Sequence, residues 1–463
     1  MSTTTQLEPP GVESYPLSNL SDKPTSSERP PSPQPETPGD DQQPPGLDRA
    51  TKLKLIAAGF SFFVSGTNDG SIGALIPYVL RDYQLSTAIA SIVYGASFLG
   101  WLFAAFSNTA LTQRVNLGGS LAAGAALQLV AHALRSWRPP FPLYCITFVI
   151  VCLGQAYQDA GCNTYVAGVG GAAHRWLAFI HAMYMAGSFV APFIATAIAS
   201  AGDGASYWYL YYTFPLALCV ANLALTCYAF RDTIRLPWGK KSADVAEEAA
   251  AEGEQSEEQK KTPAQLIKQT LTNKSVLLVS AFFFFYIGGV LTASGWIVEF
   301  LVEVRDGNLA HMGYVPAGFS GGGLLGRILL AEPVYRFGER RMIFIFSVLV
   351  LAFQLVFWLV PNIVAASVAV SLIGFFSGPM FATGISVGSK LFPREINSTA
   401  LSFVFLFAQM GGSFFPIITG TLALRYSVDV LQPMLVALFA GMTISWMLIP
   451  KVKQADNVAL HHE

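Results

Sequence analysis

Apolar residues run in long blocks along this chain, with the polar residues gathered between them. A helix needs about 20 apolar residues to cross a hydrocarbon layer about 30 Å thick. Twelve blocks come near that length: 53–80, 86–108, 117–135, 142–168, 174–201 and 207–229, then 275–302, 310–332, 341–360, 362–388, 397–424 and 429–449. The pattern predicts an all-α membrane protein of twelve transmembrane helices in two six-helix bundles. Residues 51–231 are the expected N-terminal bundle and 272–450 the C-terminal one, with 232–271 a cytosolic linker. The ends, 1–50 and 451–463, are expected to be cytosolic tails. The first holds 11 of the 27 prolines and too little apolar surface to fold, so it is expected to be disordered. No cleavable signal peptide is expected, because the first apolar block follows fifty polar residues.

Composition agrees with this picture. The chain is 52% hydrophobic and 12% charged, against roughly 25% charged in an average soluble protein. A net charge of −1 supplies no basic field for nucleic acid. Twelve spans put both termini on one side, and the excess of Lys and Arg in cytosolic loops selects it. With the N-terminus in the cytosol, all but five of the 28 basic residues face inward; the five are Arg81, Arg135, Arg138, Arg305 and Arg425. The sequons at Asn19, Asn273 and Asn397 then face the cytosol and are expected to carry no glycan. The plasma membrane is favoured over an organelle, and a monomer over an oligomer. Cys145, Cys152, Cys162, Cys219 and Cys227 lie in apolar blocks without metal-ligand spacing, so no metal or cofactor is expected.

The halves look like copies of one another. Offsetting the sequence by 224 residues lays Leu177, Phe179, Gly187, Pro192, Ile194 and Ala199 on Leu401, Phe403, Gly411, Pro416, Ile418 and Ala423, and Gly154 on Gly378. Two parallel six-helix repeats with a midplane site between them are a transporter architecture.

Ionisable residues inside a membrane are costly and point to function. Three stand out: Asp69 in the first span, Asp159 in the fourth and His181 in the fifth. No Lys or Arg is expected at comparable depth, which marks the two aspartates as proton carriers. Asp159 and His181 lie eleven and nine residues from the turn joining their helices, so a hydrogen-bonded pair is expected. Gln155, Asp159 and either Cys162 or Asn163 share one helical face, a polar stripe that lipid would not tolerate. Asn68, Gln155, Gln158, Asn163 and Gln409 are the candidates for binding a small polar solute. For Asp69 and Asp159 the alternative is a carboxyl bonded to a neighbouring helix, and for His181 a satisfied neutral histidine in a helix interface.

Glu299, Glu303 and Asp306 read as a solvated mouth. Arg327, Glu332, Arg336, Glu339, Arg340 and Arg341 surround the cytosolic end of the eighth span and read as a charge network latching that face, or as simple topology anchors. Gly66-x3-Gly70 and Gly318-x3-Gly322-x3-Gly326 let helices approach closely. Gly384-Ile-Ser-Val-Gly388 resembles a hydrolase elbow but lies inside an apolar helix, and no phosphate-binding loop exists. Neither an enzyme nor an ATP-driven pump is expected.

The chain resembles the major facilitator superfamily over about residues 51–450, and within it the fucose-permease-like branch with many fungal members. The resemblance is carried by Asn68-Asp69-Gly70-Ser-Ile-Gly-Ala-Leu-Ile-Pro77, by Gly154 with Asp159 and Asn163, by Gly295-Trp296, and by Gly326-Arg327 leading into Arg336-Phe-Gly-Glu-Arg-Arg341. It implies proton-linked sugar transport by alternating access, with the acids of the first and fourth helices mapping onto Asp69 and Asp159. Tyr286-Ile-Gly-Gly-Val290 departs from the Tyr-x-Gly-x-Glu of similar fungal proteins, and Gln113-Arg114-Val-Asn-Leu-Gly118 is a degraded loop signature. Two rival functions remain: a proton-antiport exporter of a fungal metabolite, and a membrane sensor that binds solute without moving it.

Overall fold

In the computed structural model the described residues are 47–169, 173–202, 206–234 and 263–450. The expectations placed on 1–46, on linker residues 235–262 and on 451–463 lie outside them. Twelve long helices follow: α1 (Arg49–Asp82), α2 and α3 (92–115 and 117–135, the two arms of Ile92–Arg135), α4 (Phe141–Ala167), α5 (Ala173–Ala199) and α6 (Thr213–Ala229). The second half holds α7 (Lys274–Glu303), α8 (Val315–Leu329), α9 (Glu339–Leu359), α10 (Ile363–Ser377 and Met380–Leu391), α11 (Asn397–Tyr426) and α12 (Leu431–Leu448). The end of the expected linker is itself helical, Pro263–Thr272.

Among the described residues nine helical runs are long and apolar enough to cross a membrane. One of them is the α2–α3 pair, folded at Asn116, whose φ of 59° asparagine tolerates better than most residues. The remaining two helices show why they fall outside the nine. α8 is only 15 residues long. α1 is long, but its middle is the polar run Ser65 to Ser71, where the candidate site lies.

The repeat recurs in the packing. α1 packs on α5 as α7 packs on α11, α2 on α4 as α8 on α10, and α3 on α6 as α9 on α12. Glycines set the distances. A Cβ on Gly187 of α5 would sit 2.1 Å from the carbonyl oxygen of Phe63 on α1, and one on the repeat-related Gly411 would sit 2.0 Å from that of Phe284 on α7. Backbone-to-backbone approach of this kind gives van der Waals packing where no hydrophobic drive acts between helices.

Lys54 at the start of α1 pairs with Asp232 beyond α6, and Arg340 at the start of α9 bonds Met447 at the end of α12. These ends mark a terminal face, opposite a distal face. The halves meet on the distal side. Arg81 of α1 bonds Glu299 (3.3 Å) and Glu303 (2.8 Å) of α7, Thr87 donates to the Gly420 carbonyl (2.7 Å), and the Phe193 and Tyr314 rings lie 5.9 Å apart. Of the three acids expected at a solvated mouth, Glu303 and Asp306 are exposed, while Glu299 is 6% exposed and lies in the seam. Of the ring contacts between the halves among the described residues, His181 with Phe381 (6.1 Å) is nearest the terminal face. It lies two turns inside α5, and the boundary between the halves around it is the candidate cleft.

Two glycines test this arrangement differently. Gly187→Val, forced against Phe63, is expected to destabilise the fold by about 1–3 kcal/mol, seen as a lower melting temperature. Gly95→Ala, which meets only Ile417 Cδ1 at 3.4 Å, should leave melting unchanged. Gly73 lies across the distal seam, where a Cβ would come within 1.8 Å of the Ser294 carbonyl oxygen. Gly73→Val should therefore keep the fold but prop the distal face open. Spin-label distances between Gln84→Cys and Asp429→Cys, both exposed on that face, should lengthen; an unchanged distance would refute the seam.

Candidate functional site

The site begins with α1, which stays helical through Ser65-Gly-Thr-Asn-Asp-Gly-Ser71 because its hydroxyls bond back to its own backbone. Thr67 donates to Val64 O and Ser71 to Asn68 O, both at 2.7 Å. Gly66 and Gly70 bring α5 close enough for Ser188 to donate to Gly66 O at 3.2 Å.

Asp69 projects from this stretch toward α4 and α5. Its Oδ1 accepts from Asn68 Nδ2 (2.8 Å) and Gln155 Nε2 (3.2 Å), and its Oδ2 from Tyr184 OH (2.8 Å). Behind it, Asn68 Oδ1 accepts from Arg135 Nη1 at 2.7 Å. Arg135 Nε donates to Thr147 (2.7 Å), and the guanidinium lies 3.8 Å over the Phe148 ring. Arg135 was expected outside the membrane. Instead it is 0% exposed and reaches inward from the distal end of α3. Its aliphatic stem and planar head suit an aromatic cage formed with Tyr144 and Tyr212.

Asp159 is half-buried one turn beyond Gln155 on α4, and Asn163 Nδ2 donates to its main-chain oxygen at 2.9 Å. The expected Asp159–His181 hydrogen bond is absent among the described residues. The His181 ring stands edge-on to Phe62 (5.2 Å) and against Phe381 of the other half, so it packs where the halves touch. Gln158 also departs from its expected role. Its side chain is about 100° around α4 from Asp159 and faces the bundle interior. There its Oε1 accepts from Gln128 (2.8 Å) and Asn222 (3.1 Å), and its Nε2 donates to Leu121 O (3.2 Å). Gln409 is half-buried on α11.

The charge cluster at the end of α8 does not form one network. Glu332 and Arg336 make an exposed pair one turn apart, and Arg341 is exposed. Arg340 bonds the end of α12, while Glu339 takes Ser386 and Lys390, both at 2.8 Å. All of these partners belong to the C-terminal half, so the residues brace that half and do not join it to the other. Arg327 is separate from them. It follows Gly323 by one turn on α8, the face on which Met185 of α5 packs, and so lies toward the boundary between the halves. The cleft thus has two acids on its N-terminal wall and one cation on its C-terminal wall.

Tyr184, Arg135 and the position of Arg327 escaped the sequence reading. Gln128, His132 and Arg135 recur at i, i+4 and i+7 on an otherwise apolar helix, the same kind of stripe that singled out Gln155 and Asp159. Tyr184 has no such signal, since a tyrosine among apolar residues reads as packing. A concavity between α9 and α10 around Phe353, Val360 and Val368 is mostly apolar and holds none of the candidate residues.

The family model for the Major Facilitator Superfamily matches residues 58–416. "Bypass of stop codon protein 6" of Saccharomyces cerevisiae is 24% identical over 418 residues, covering 86% of this chain and 83% of that protein. Among solved structures, the nucleoside transporter NupG superposes with a TM-score of 0.65 at 13% identity, covering 86% of this chain and 100% of that one. A D-xylose–proton symporter gives 0.65 at 14% (87% and 98%), and FucP in an outward conformation gives 0.61 at 14% (87% and 100%). At such identities the superpositions speak for the fold, and the family match spans most of the chain. With twelve helices in two repeated halves around one cleft, the chain belongs to the major facilitator superfamily and is a membrane transporter, not an enzyme.

Proposed function

We propose that the chain moves a small polar organic solute by alternating access, coupled to protons through Asp159, with Asp69 in solute recognition or gating. The observation that carries this is the unequal dressing of the two cleft acids. Asp69 is engaged by three donors from α1, α4 and α5. Asp159, one turn below Gln155 on the same face, has Asn163 beside it and leaves its carboxylate available to a proton. Asn163 and Gln155, whose Oε1 is buried without a partner, offer hydrogen bonds to a polar solute at the same depth. Two structural neighbours support the coupling by their descriptions, a D-xylose–proton symporter and a fucose:proton symporter.

With both termini cytosolic, as the basic loops favour, the terminal face is the cytosolic one. The Arg81–Glu299–Glu303 seam is then the extracellular gate, in a plasma-membrane protein that works as a monomer. The gradient supplies the energy, and no metal or cofactor takes part.

Asp159→Asn should abolish pH-gradient-driven accumulation in proteoliposomes while solute exchange partly survives, because exchange needs no net proton movement. Accumulation that still tracks the gradient in this variant would remove Asp159 from the coupling. Efflux driven by the same gradient would make the protein an exporter, and binding without flux would make it a sensor.

A further inference from the structure

We infer that Arg327 is an anion-binding residue of the cleft and that the transported solute carries a carboxylate. This deepens the transport reading above and rests on it. Arg327 sits on the face of α8 that also carries Gly323, against which Met185 of α5 packs, so its side chain enters the seam between the halves. Its guanidinium makes no hydrogen bond or ion pair among the described residues, and its Nε is sealed from solvent with no acceptor. The neighbouring hydroxyl donors are already committed: Tyr184 OH to Asp69 (2.8 Å) and Tyr286 OH to Ser377 O (2.8 Å). Arg135, the other buried cation, is held at two of its nitrogens, by Thr147 and Asn68, and by an aromatic cage, with only Nη2 left without a partner.

An arginine whose Nε is buried without an acceptor gains when a ligand supplies one, and the half-buried side chain leaves its outer Nη atoms free to meet that ligand. Arginine's planar fork matches a carboxylate with two parallel hydrogen bonds. The opposite wall suits the rest of such a solute, since Gln155 and Asn163 can bond hydroxyl groups. A hydroxy acid spanning the cleft would put its negative end on the C-terminal half and its hydroxyls on the N-terminal half. It would join the halves only when bound.

The full-length protein, purified and folded, tests this with matched probes at equal ionic strength: lactate against propane-1,2-diol, gluconate against sorbitol, and glucuronate against glucose. At least one acid should raise the melting temperature where its neutral partner does not. That shift should vanish in Arg327→Gln and survive in part in Arg327→Lys. Unliganded Arg327→Gln should melt no lower than the parent, because it loses no protein partner. The inference is overturned if no acid shifts the parent, if Arg327→Gln responds as the parent does, or if that variant melts well below it. The transport reading fails separately: acids would still bind, but no acid or neutral solute would cross proteoliposome membranes.

Discussion

A charge placed at the middle of a membrane must find its partners inside the protein, and much of the N-terminal half is arranged to meet that demand. Asp69 draws donors from three helices, and Asn68 passes the interaction to Arg135, whose head is wrapped by Phe148, Tyr144 and Tyr212. This chain of contacts ties α1, α3, α4, α5 and the α6 region into one block. A second layer extends it toward the terminal face, where Gln128, Gln158, Asn222 and Ser61 bond in sequence. The C-terminal half has no comparable network among the described residues. Its interior is aromatic, with Phe282 stacked on Tyr286, tilted against Trp446 and edge-on to Phe283.

That difference suits two bodies that must move against each other as units. Within each half the helices meet through glycine at backbone distance, contacts that allow little adjustment. Between the halves the contacts are of two kinds. At the distal seam they are close and partly ionic, Gly73 on Ser294 and Arg81 on Glu299 and Glu303. Deeper in, they are ring contacts such as His181 on Phe381. As the seam parts, half-exposed Arg81 and Glu303 regain water, while buried Glu299 gives up its ion pair and must be hydrated in turn.

The fold was largely legible in the sequence because a membrane span is a long signal. Even the two weak spans, α1 and α8, were visible as apolar blocks, and the repeat of Gly187 and Pro192 in Gly411 and Pro416 was visible as spacing. The site was less legible. Asp69, Asp159, Asn68 and Gln155 could be picked out because a polar residue in an apolar block is conspicuous. The errors came from side-chain reach. Position along α3 put Arg135 outside the membrane, yet its long side chain turns inward to aromatic rings and Asn68. Position along α8 put Arg327 with the loop charges, while its helical face turns it into the cleft. Gln158 failed in the other direction, since one residue of rotation separates the cleft wall from the bundle interior. The expected Asp159–His181 pair rested on matched depth, and depth does not fix the facing of two helices.

The repeat also explains why the acids stand on one side only. Position 159 of α4 corresponds to Thr383 of α10, and Thr383 donates to Pro379 O at 2.9 Å where α10 is interrupted. Tyr286 OH satisfies Ser377 O on the other side of the same break. In lipid, a broken helix is tolerated only when its freed backbone groups find partners. On α10 the counterparts of Gln155, Asp159 and Asn163 are Pro379, Thr383 and Val387, of which only Thr383 is polar, and it bonds back to its own helix. In the proposed cycle the proton's charge changes arise in the N-terminal half, whose network surrounds them, while the C-terminal half contributes a hinge point and the guanidinium of Arg327. Such a division places recognition of a solute on both walls and coupling on one, so that a bound solute adds a link between them.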